Sequence, residues 1–411
     1  MQPKQYGLFS LPVIVGSLGF FVDIYDLQVF ALTRIISFRE LGIVGDAQQE
    51  IGENVINWQM AGLMLGGIIW GVLGDKRGRK SVLFGSILVY SLATLANGFV
   101  QDITTYTVLR FVAGLGLAGE LGASITMTSE MLPKEKRGLA AAVIATSGVM
   151  GTIVGYFVSK LSGDNWRLCY YIGGAMGLAL LFLRMRIFDS GMYKSAKDGG
   201  VQMGNLSMLV NSKERFFRFL RAIIIGLPTW YVIGVVITFS ERFAKEFGIA
   251  GFDQPKSLML QYVALAFGDL TGGILANYLK SRKKTLYFFY IFLSITIALF
   301  FITKGGGSAT NMYLFCMAMG FGAGISVLYI TMSAEQFGTN LRATAAISIP
   351  NLVRGFLILM LLLFKFLRSD QVFNDYITGA WVLAIVVMLC SWIAVFYTRE
   401  TFGRDMNYIE K

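Results

Sequence analysis

Residues 71–80 read Gly-Val-Leu-Gly-Asp-Lys-Arg-Gly-Arg-Lys, one acid and four bases in a turn that directly follows an apolar, helix-length stretch. Asp75 is costly in lipid, and Lys76, Arg77, Arg79 and Lys80 favour the cytoplasmic face of a membrane. Gly71 lets a neighbouring backbone approach closely, and Gly78 lets the turn adopt positive φ. A positive-inside stop signal explains the bases, but it requires neither the acid nor the spaced glycines.

Composition agrees with a membrane setting. The chain has 411 residues, of which 55% are hydrophobic and 15% charged, and its mean hydropathy is +0.61. A soluble domain carries about 25% charged residues. The net charge of +11 sits in short turns between apolar stretches, so membrane topology and lipid headgroups explain it and nucleic acid is not an expected partner. Cys169, Cys316 and Cys390 all fall in apolar stretches and imply no disulfide framework. Histidine is absent, so proton handling near neutral pH falls to carboxylates. No metal cluster or nucleophile–base set is visible, and neither an enzyme nor a bound cofactor or metal is expected.

A spanning helix needs about 20 mostly apolar residues. By that rule twelve segments are expected, at 8–33, 55–74, 81–100, 104–130, 138–159, 167–187, 219–240, 257–279, 286–303, 311–334, 343–366 and 376–397. The first is too long for the apolar core of a cleavable leader and reads as a spanning helix. A polar stretch at 189–218 separates six segments from six, giving an N-terminal bundle at 1–188 and a C-terminal bundle with a short tail at 219–411. Bases at Lys134, Lys136, Arg137, Lys280, Arg282, Lys283 and Lys284 mark further cytoplasmic turns, whereas Asp46, Glu50 and Glu53 mark an outer loop. Both termini are then cytoplasmic.

The halves echo each other at an offset of about 200 residues. Gly71-Val-Leu-Gly-Asp75 returns as Gly273-Ile-Leu-Ala-Asn277, and Glu130 with Arg137 returns as Glu335 with Arg342. The second copy has lost its Asp and its loop glycine, so the halves are no longer equivalent.

The turn at 71–80 resembles the loop between helices two and three of the major facilitator superfamily, G-x-L-x-D-(R/K)-x-G-R-(R/K). The resemblance implies an all-α polytopic membrane protein of twelve transmembrane helices in two pseudo-symmetric six-helix bundles. It also implies secondary transport by alternating access. Ile24-Tyr25-Asp26 and Arg110-Phe-Val-Ala-Gly114-Leu-Gly116 resemble the G-Y-D and R-x-x-x-G-x-G of proton-linked sugar and metabolite symporters. The tail Arg399-Glu400-Thr401-Phe-Gly403 is similar to their P-E-T-x-G. In such relatives the helix-one Asp and helix-four Arg are the proposed proton-coupling pair, a role that passes to Asp26 and Arg110. Gly71, Asp75, Gly78, Arg79, Glu130, Arg137, Glu335 and Arg342 resemble the residues that form the family's conformational gate.

Charges inside spanning segments point the same way, because each costs about 2.5–3.5 kcal/mol on insertion scales. Asp23 and Asp26 share a face of the first segment. Asp26 and Arg110 both fall about 10 Å from the outer ends of their segments. The pair is either a proton-responsive latch or a permanent bridge that orders the bundle. Asp23 is a second proton candidate. Glu120 is either a further carrier or a neutral, hydrogen-bonded group. Gly114, Gly116 and Gly119 spell a dinucleotide fingerprint only as letters, since they lie inside a membrane helix, and they read as helix packing.

In the second half Asp269 and Arg354 each come out about 17 Å from their segment starts, near mid-membrane. Arg354 suits a carboxylate or phosphate substrate through its forked donors, with Asp269 holding it when the site is empty; the other reading is a fixed bridge. Pro350-Asn351 just before Arg354 loosens the backbone. Asn351, Tyr25, Gln59, Trp230, Tyr231 and Tyr329 complete the expected substrate lining, with Trp58 and Tyr262 as further aromatic candidates. The seventh segment lacks the Gln-Gln pair of sugar porters, so the expected cargo is a small organic anion carried with protons across the plasma or inner membrane, by a monomer in the lipid bilayer. A sugar or polyol symporter, a proton-driven exporter and a non-transporting nutrient receptor stay open beside it.

Overall fold

The computed structural model describes residues 10–77, 79–120, 134–184 and 211–403. Gly78, Glu130 and most of the central loop lie outside the described residues, as do the side chains of Asp75, Arg79, Arg137 and Arg342. Among the described residues every regular element is helical. In chain order they are α1 (Leu11–Glu40), α2 (Ala47–Arg77), α3 (Arg79–Asn97), α4 (Ile103–Leu117), α5 (Lys134–Ser162), α6 (Arg167–Arg184) and α7 (Lys213–Tyr231). A π-helical turn (Val232–Ile237) extends α7, followed by α8 (Ser240–Glu246), α9 (Gln254–Tyr278), α10 (Arg282–Ile302), α11 (Ala309–Gly322) and α12 (Ser326–Gln336). The chain ends with α13 (Thr339–Gly355), α14 (Leu357–Leu367) and α15 (Tyr376–Tyr397).

Among the described residues, eight helical spans are long and apolar enough to cross a membrane, and Ser81–Asn97, Ile103–Leu117 and Arg167–Leu183 are shorter apolar helices. The protein is an all-α integral membrane protein. The final span falls where hydropathy put it, at 376–397. Others run longer than their apolar stretches: α2 begins at Ala47, eight residues before the expected start at 55, because helical hydrogen bonding continues through polar residues beyond the bilayer core. Two expected segments are each two helices. The tenth breaks between Gly322 and Ser326, and the eleventh between Gly355 and Leu357. Pro350, the expected weak point of the eleventh, lies inside α13.

The described helices fall into two compact units, one holding α1–α6 with Thr339–Asn351, the other α7–α12 with the chain from Leu352 onward. In the first unit α4 is pressed between α2 and α3. A Cβ on Gly114 would lie 2.2 Å from the Gln59 carbonyl oxygen of α2, and one on Gly116 would lie 2.5 Å from the Tyr90 nitrogen of α3. Only glycine allows these backbone contacts, as the small-residue reading of the run expected. They set the depth of Arg110, one turn before Gly114.

In the second unit Pro228 shapes α7. Proline has no N–H to give the carbonyl four residues earlier. That carbonyl, of Ile224, accepts instead from Ser391 Oγ of α15 at 2.9 Å, and the next, of Ile225, accepts from Tyr290 Oη of α10 at 2.7 Å. Thr229 Oγ1 donates to the Ala323 carbonyl at the break before α12, at 2.8 Å. Side chains from three helices thus satisfy polar groups that lipid cannot, which is the condition for a proline and a π turn inside a membrane.

Candidate functional site

Asp26 of α1, Thr94 of α3, Arg110 of α4 and Tyr170 of α6 meet inside the first unit, all fully buried. Arg110 Nη2 lies 3.4 Å from Asp26 Oδ1, while Arg110 Nη1 donates to the Asp26 main-chain carbonyl at 3.3 Å. Thr94 Oγ1 donates to the same Oδ1 at 2.5 Å and accepts from Arg110 Nη2 at 3.2 Å. The guanidinium carbon sits 5.1 Å from the Tyr170 ring centroid, and the Tyr170 hydroxyl lies 2.5 Å from that of Tyr106. Among the described residues, Asp26 Oδ2 and Arg110 Nε have no hydrogen-bond partner. A 3.4 Å contact is longer than the 2.7–2.9 Å or so of a tight charge-assisted bond. The carboxylate is therefore bound through one oxygen, and Oδ2 is the position where a proton can add without displacing a partner.

The structure brings Asp26 and Arg110 together as depth counting expected. Asp23 and Glu120 are also fully buried. Thr94, Tyr106 and Tyr170 complete the cluster and were not singled out in the sequence. A hydroxyl in an apolar helix is common, and nothing local marks these as partners of a charge on another helix.

Tyr25 and Gln59 are engaged by backbone groups of the first unit. Tyr25 Oη donates to the Cys169 carbonyl at 2.8 Å, and Gln59 Nε2 donates to the Leu27 carbonyl at 3.4 Å. Asn351 Nδ2 donates to the Ala118 carbonyl at 3.0 Å, also within the first unit. Trp58 is half exposed and meets Phe111 edge to face.

In the second unit α7, α12 and α13 converge on Gly226. A Cβ there would lie 2.7 Å from Val353 Cγ1 and 3.4 Å from Tyr329 Cε1. Arg354, next to Val353, places its guanidinium carbon 5.8 Å from the Trp230 ring centroid. Arg354, Trp230, Tyr329 and Tyr262 are all buried. Tyr329 lies within electrostatic reach of both Arg354 and Asp269. Asp269 Oδ1 accepts from the Val327 amide at 3.2 Å. Tyr231 turns away from the cluster, its hydroxyl donating to the Ala380 carbonyl at 2.9 Å. A guanidinium over an indole face, with a phenol beside it, is a surface that suits a flat anion.

Of the expected gate residues, Glu335 is described with its contacts. Its Oε1 lies 3.2 Å from Arg282 Nη2, and its Oε2 accepts from Thr401 Oγ1 at 2.6 Å. Beside it, Glu400 accepts from Ser281 Oγ and from the backbone amides of Arg282 at 2.9 Å and Lys283 at 3.2 Å. Burial pushes the Glu400 carboxyl up, but these hydrogen bonds, with one from the Phe402 amide, outweigh it and hold the group below the usual carboxylate range. The tail is thus fastened to the start of α10. The sequence signalled this only through the worn tail motif and the basic turn at 280–284. A Cβ on Gly71 would meet open space.

The sequence profile of the Major Facilitator Superfamily matches residues 8–361. A gentisate transporter of Corynebacterium glutamicum is 24% identical over 345 residues, covering 81% of this chain and 75% of that one. A benzoate transport protein of Acinetobacter baylyi is 23% identical over 369 residues, covering 81% and 78%. Among solved structures, a partially occluded, inward-open xylose transporter from E. coli superposes with a TM-score of 0.74 at 14% identity, covering 96% of this chain and 99% of that one. With a profile match over most of its length, an all-helical fold and an intramembrane Asp–Arg pair, the chain belongs to the Major Facilitator Superfamily, a family of transporters rather than enzymes.

Proposed function

We propose that this protein carries a small organic carboxylate, most readily an aromatic one, together with protons across a bacterial inner membrane. The observation that carries the reading is Arg354, a buried guanidinium in a spanning helix, laid against Trp230. A buried cation in a transporter's membrane region marks a substrate or ion pathway. The fork of a guanidinium matches a carboxylate, and the indole face matches an aromatic ring. The gentisate and benzoate carriers among the relatives support this chemistry, since both named substrates are aromatic carboxylates.

Asp26 is the proposed proton site. Ionised, it holds Arg110; protonated at Oδ2, it weakens that hold and lets the bundle rearrange. Transport proceeds by alternating access, with rearrangement favoured when carboxylate and proton are both bound or both absent. The basic turns support a cytoplasmic side for both termini, and on that reading the Glu335–Arg282–Thr401 cluster belongs to the inner gate. The test is uptake of a panel of carboxylates and sugars into proteoliposomes, with and without an inward proton gradient. Uptake of sugars but not carboxylates defeats the reading.

A further inference from the structure

Helix α12 starts in the middle of a membrane segment, and its own sequence gives it no cap. The chain turns at Gly322–Ile325, where the Ile325 amide donates to the Ala323 carbonyl at 2.8 Å, and α12 opens at Ser326. The first amides of a helix have no partner within it. In water they bond solvent, but in a membrane each unmet group is costly. Ser, Thr, Asp or Asn at the preceding position supplies the usual remedy. That position here is Ile325, which makes no side-chain capping bond.

The missing acceptor comes from another helix. Asp269 of α9 takes the Val327 amide on Oδ1 at 3.2 Å. An aspartate is short, so its backbone must stand almost against the helix it caps. It does: a Cβ on Gly324 would lie 2.6 Å from the Asp269 nitrogen, and a Cβ on Gly268 would lie 2.2 Å from the Phe321 carbonyl oxygen. The cap and the close glycines are one arrangement. It fixes the first turns of α12, which carry Tyr329.

We propose that Asp269 is a positioning residue, an intramembrane cap for α12 that holds Tyr329 beside Arg354, and that it works as a hydrogen-bond acceptor rather than as the countercharge of Arg354. The proposal rests on the reading that Arg354 and Tyr329 line the substrate site. It differs from the ionic role that depth counting suggests for Asp269. An asparagine keeps the acceptor and drops the charge, and alanine drops both.

The experiment compares Asp269→Asn, Asp269→Ala and Arg354→Lys in the full-length reconstituted protein. Two readouts are used: hydrogen exchange of amides 326–328, and KM and maximal rate for radiolabelled benzoate. Asp269→Ala is expected to speed exchange at 326–328 and to raise KM about fivefold, the effect of losing one side-chain cap. Asp269→Asn is expected to restore both. If Asp269→Asn is as defective as Asp269→Ala, the charge is required and the proposal is overturned. It is also overturned if neither variant alters exchange at 326–328, or if exchange rises while KM stays unchanged and Arg354→Lys raises it. If Arg354→Lys leaves KM unaltered, the substrate-site reading fails by itself, and the exchange data still decide the cap.

Discussion

Arg110 holds Asp26 from two directions: Nη2 lies 3.4 Å from Oδ1, and Nη1 donates to the main-chain carbonyl of the same residue at 3.3 Å. Neutralising the carboxyl therefore does not release Arg110 from α1 altogether, because the main-chain bond does not depend on the charge. The side chain is loosened while the helix contact persists, which is what a reversible latch inside a packed bundle requires.

Asp26→Asn is accordingly expected to fold, to retain exchange of labelled substrate across the membrane, and to lose accumulation against a gradient driven by protons. Arg110→Ala leaves a buried carboxylate uncompensated and is expected to destabilise the protein by about 3–5 kcal/mol, seen as a lower melting temperature in detergent. Undiminished proton-driven accumulation in Asp26→Asn removes Asp26 as the coupling group.

Arg354→Lys keeps the charge and loses the fork and the planar stacking on Trp230. The expected result is a rise in KM for a carboxylate of about tenfold, which is about 1.4 kcal/mol, the scale of one lost hydrogen bond to a charged group. Competition assays with uncharged analogues check the origin. If the carboxylate and its amide lose affinity equally, Arg354 does not read the anion.

Gly114→Ala tests the packing on which the Asp–Arg pair depends. The added methyl would lie 2.2 Å from the Gln59 carbonyl oxygen, so α2 and α4 must separate. Forced overpacking costs about 1–3 kcal/mol. The measurement is thermal stability of the purified protein. The same change at Gly71, where a Cβ meets open space, is the matched control and is expected to leave stability unchanged.

The superfamily was legible in ten residues, and the depth of Asp26 and Arg110 followed from counting along two apolar runs. What counting could not supply was the partner on a third helix. Thr94 looks like any hydroxyl in an apolar segment, and its 2.5 Å bond to Asp26 exists only because α3 packs at that point. The break in the tenth segment was hidden for a related reason. Met319 to Thr331 is apolar enough to read as one continuous span, and the residue that makes the break tolerable, Asp269, lies on another helix more than fifty positions earlier. Pro350 lies inside α13 without ending it, and a proline can stay within a membrane helix when neighbours take up the freed carbonyl, as Ser391 does for Pro228. Hydropathy reports length and depth, while breaks and clusters depend on contacts between helices.

The tail gives a pH-dependent prediction outside the membrane. Glu400 is held below the usual carboxylate range in the folded protein. A carboxyl depressed by folding adds stability above its unfolded pKa, near 4.3 or so, and that contribution is lost as pH falls through the folded value. The protection of the Arg282 and Lys283 amides against hydrogen exchange, relative to the intrinsic rate at each pH, is expected to hold at neutral pH and to fall in acid, below the ordinary titration range of a glutamate. Glu400→Gln is expected to abolish that acid step. A step of equal size and midpoint in the variant assigns it to another group.

Coupled movement of proton and organic anion through this protein is open to a direct measurement. Purified protein is reconstituted into liposomes, and uptake of radiolabelled benzoate is followed with an inward proton gradient, without one, and with the gradient collapsed by a protonophore, against protein-free liposomes. Accumulation that exceeds the protein-free level, requires the gradient and disappears with the protonophore is the predicted result. Protein-dependent uptake that is the same in all three conditions, or gradient-driven uptake of xylose with none of benzoate, contradicts it.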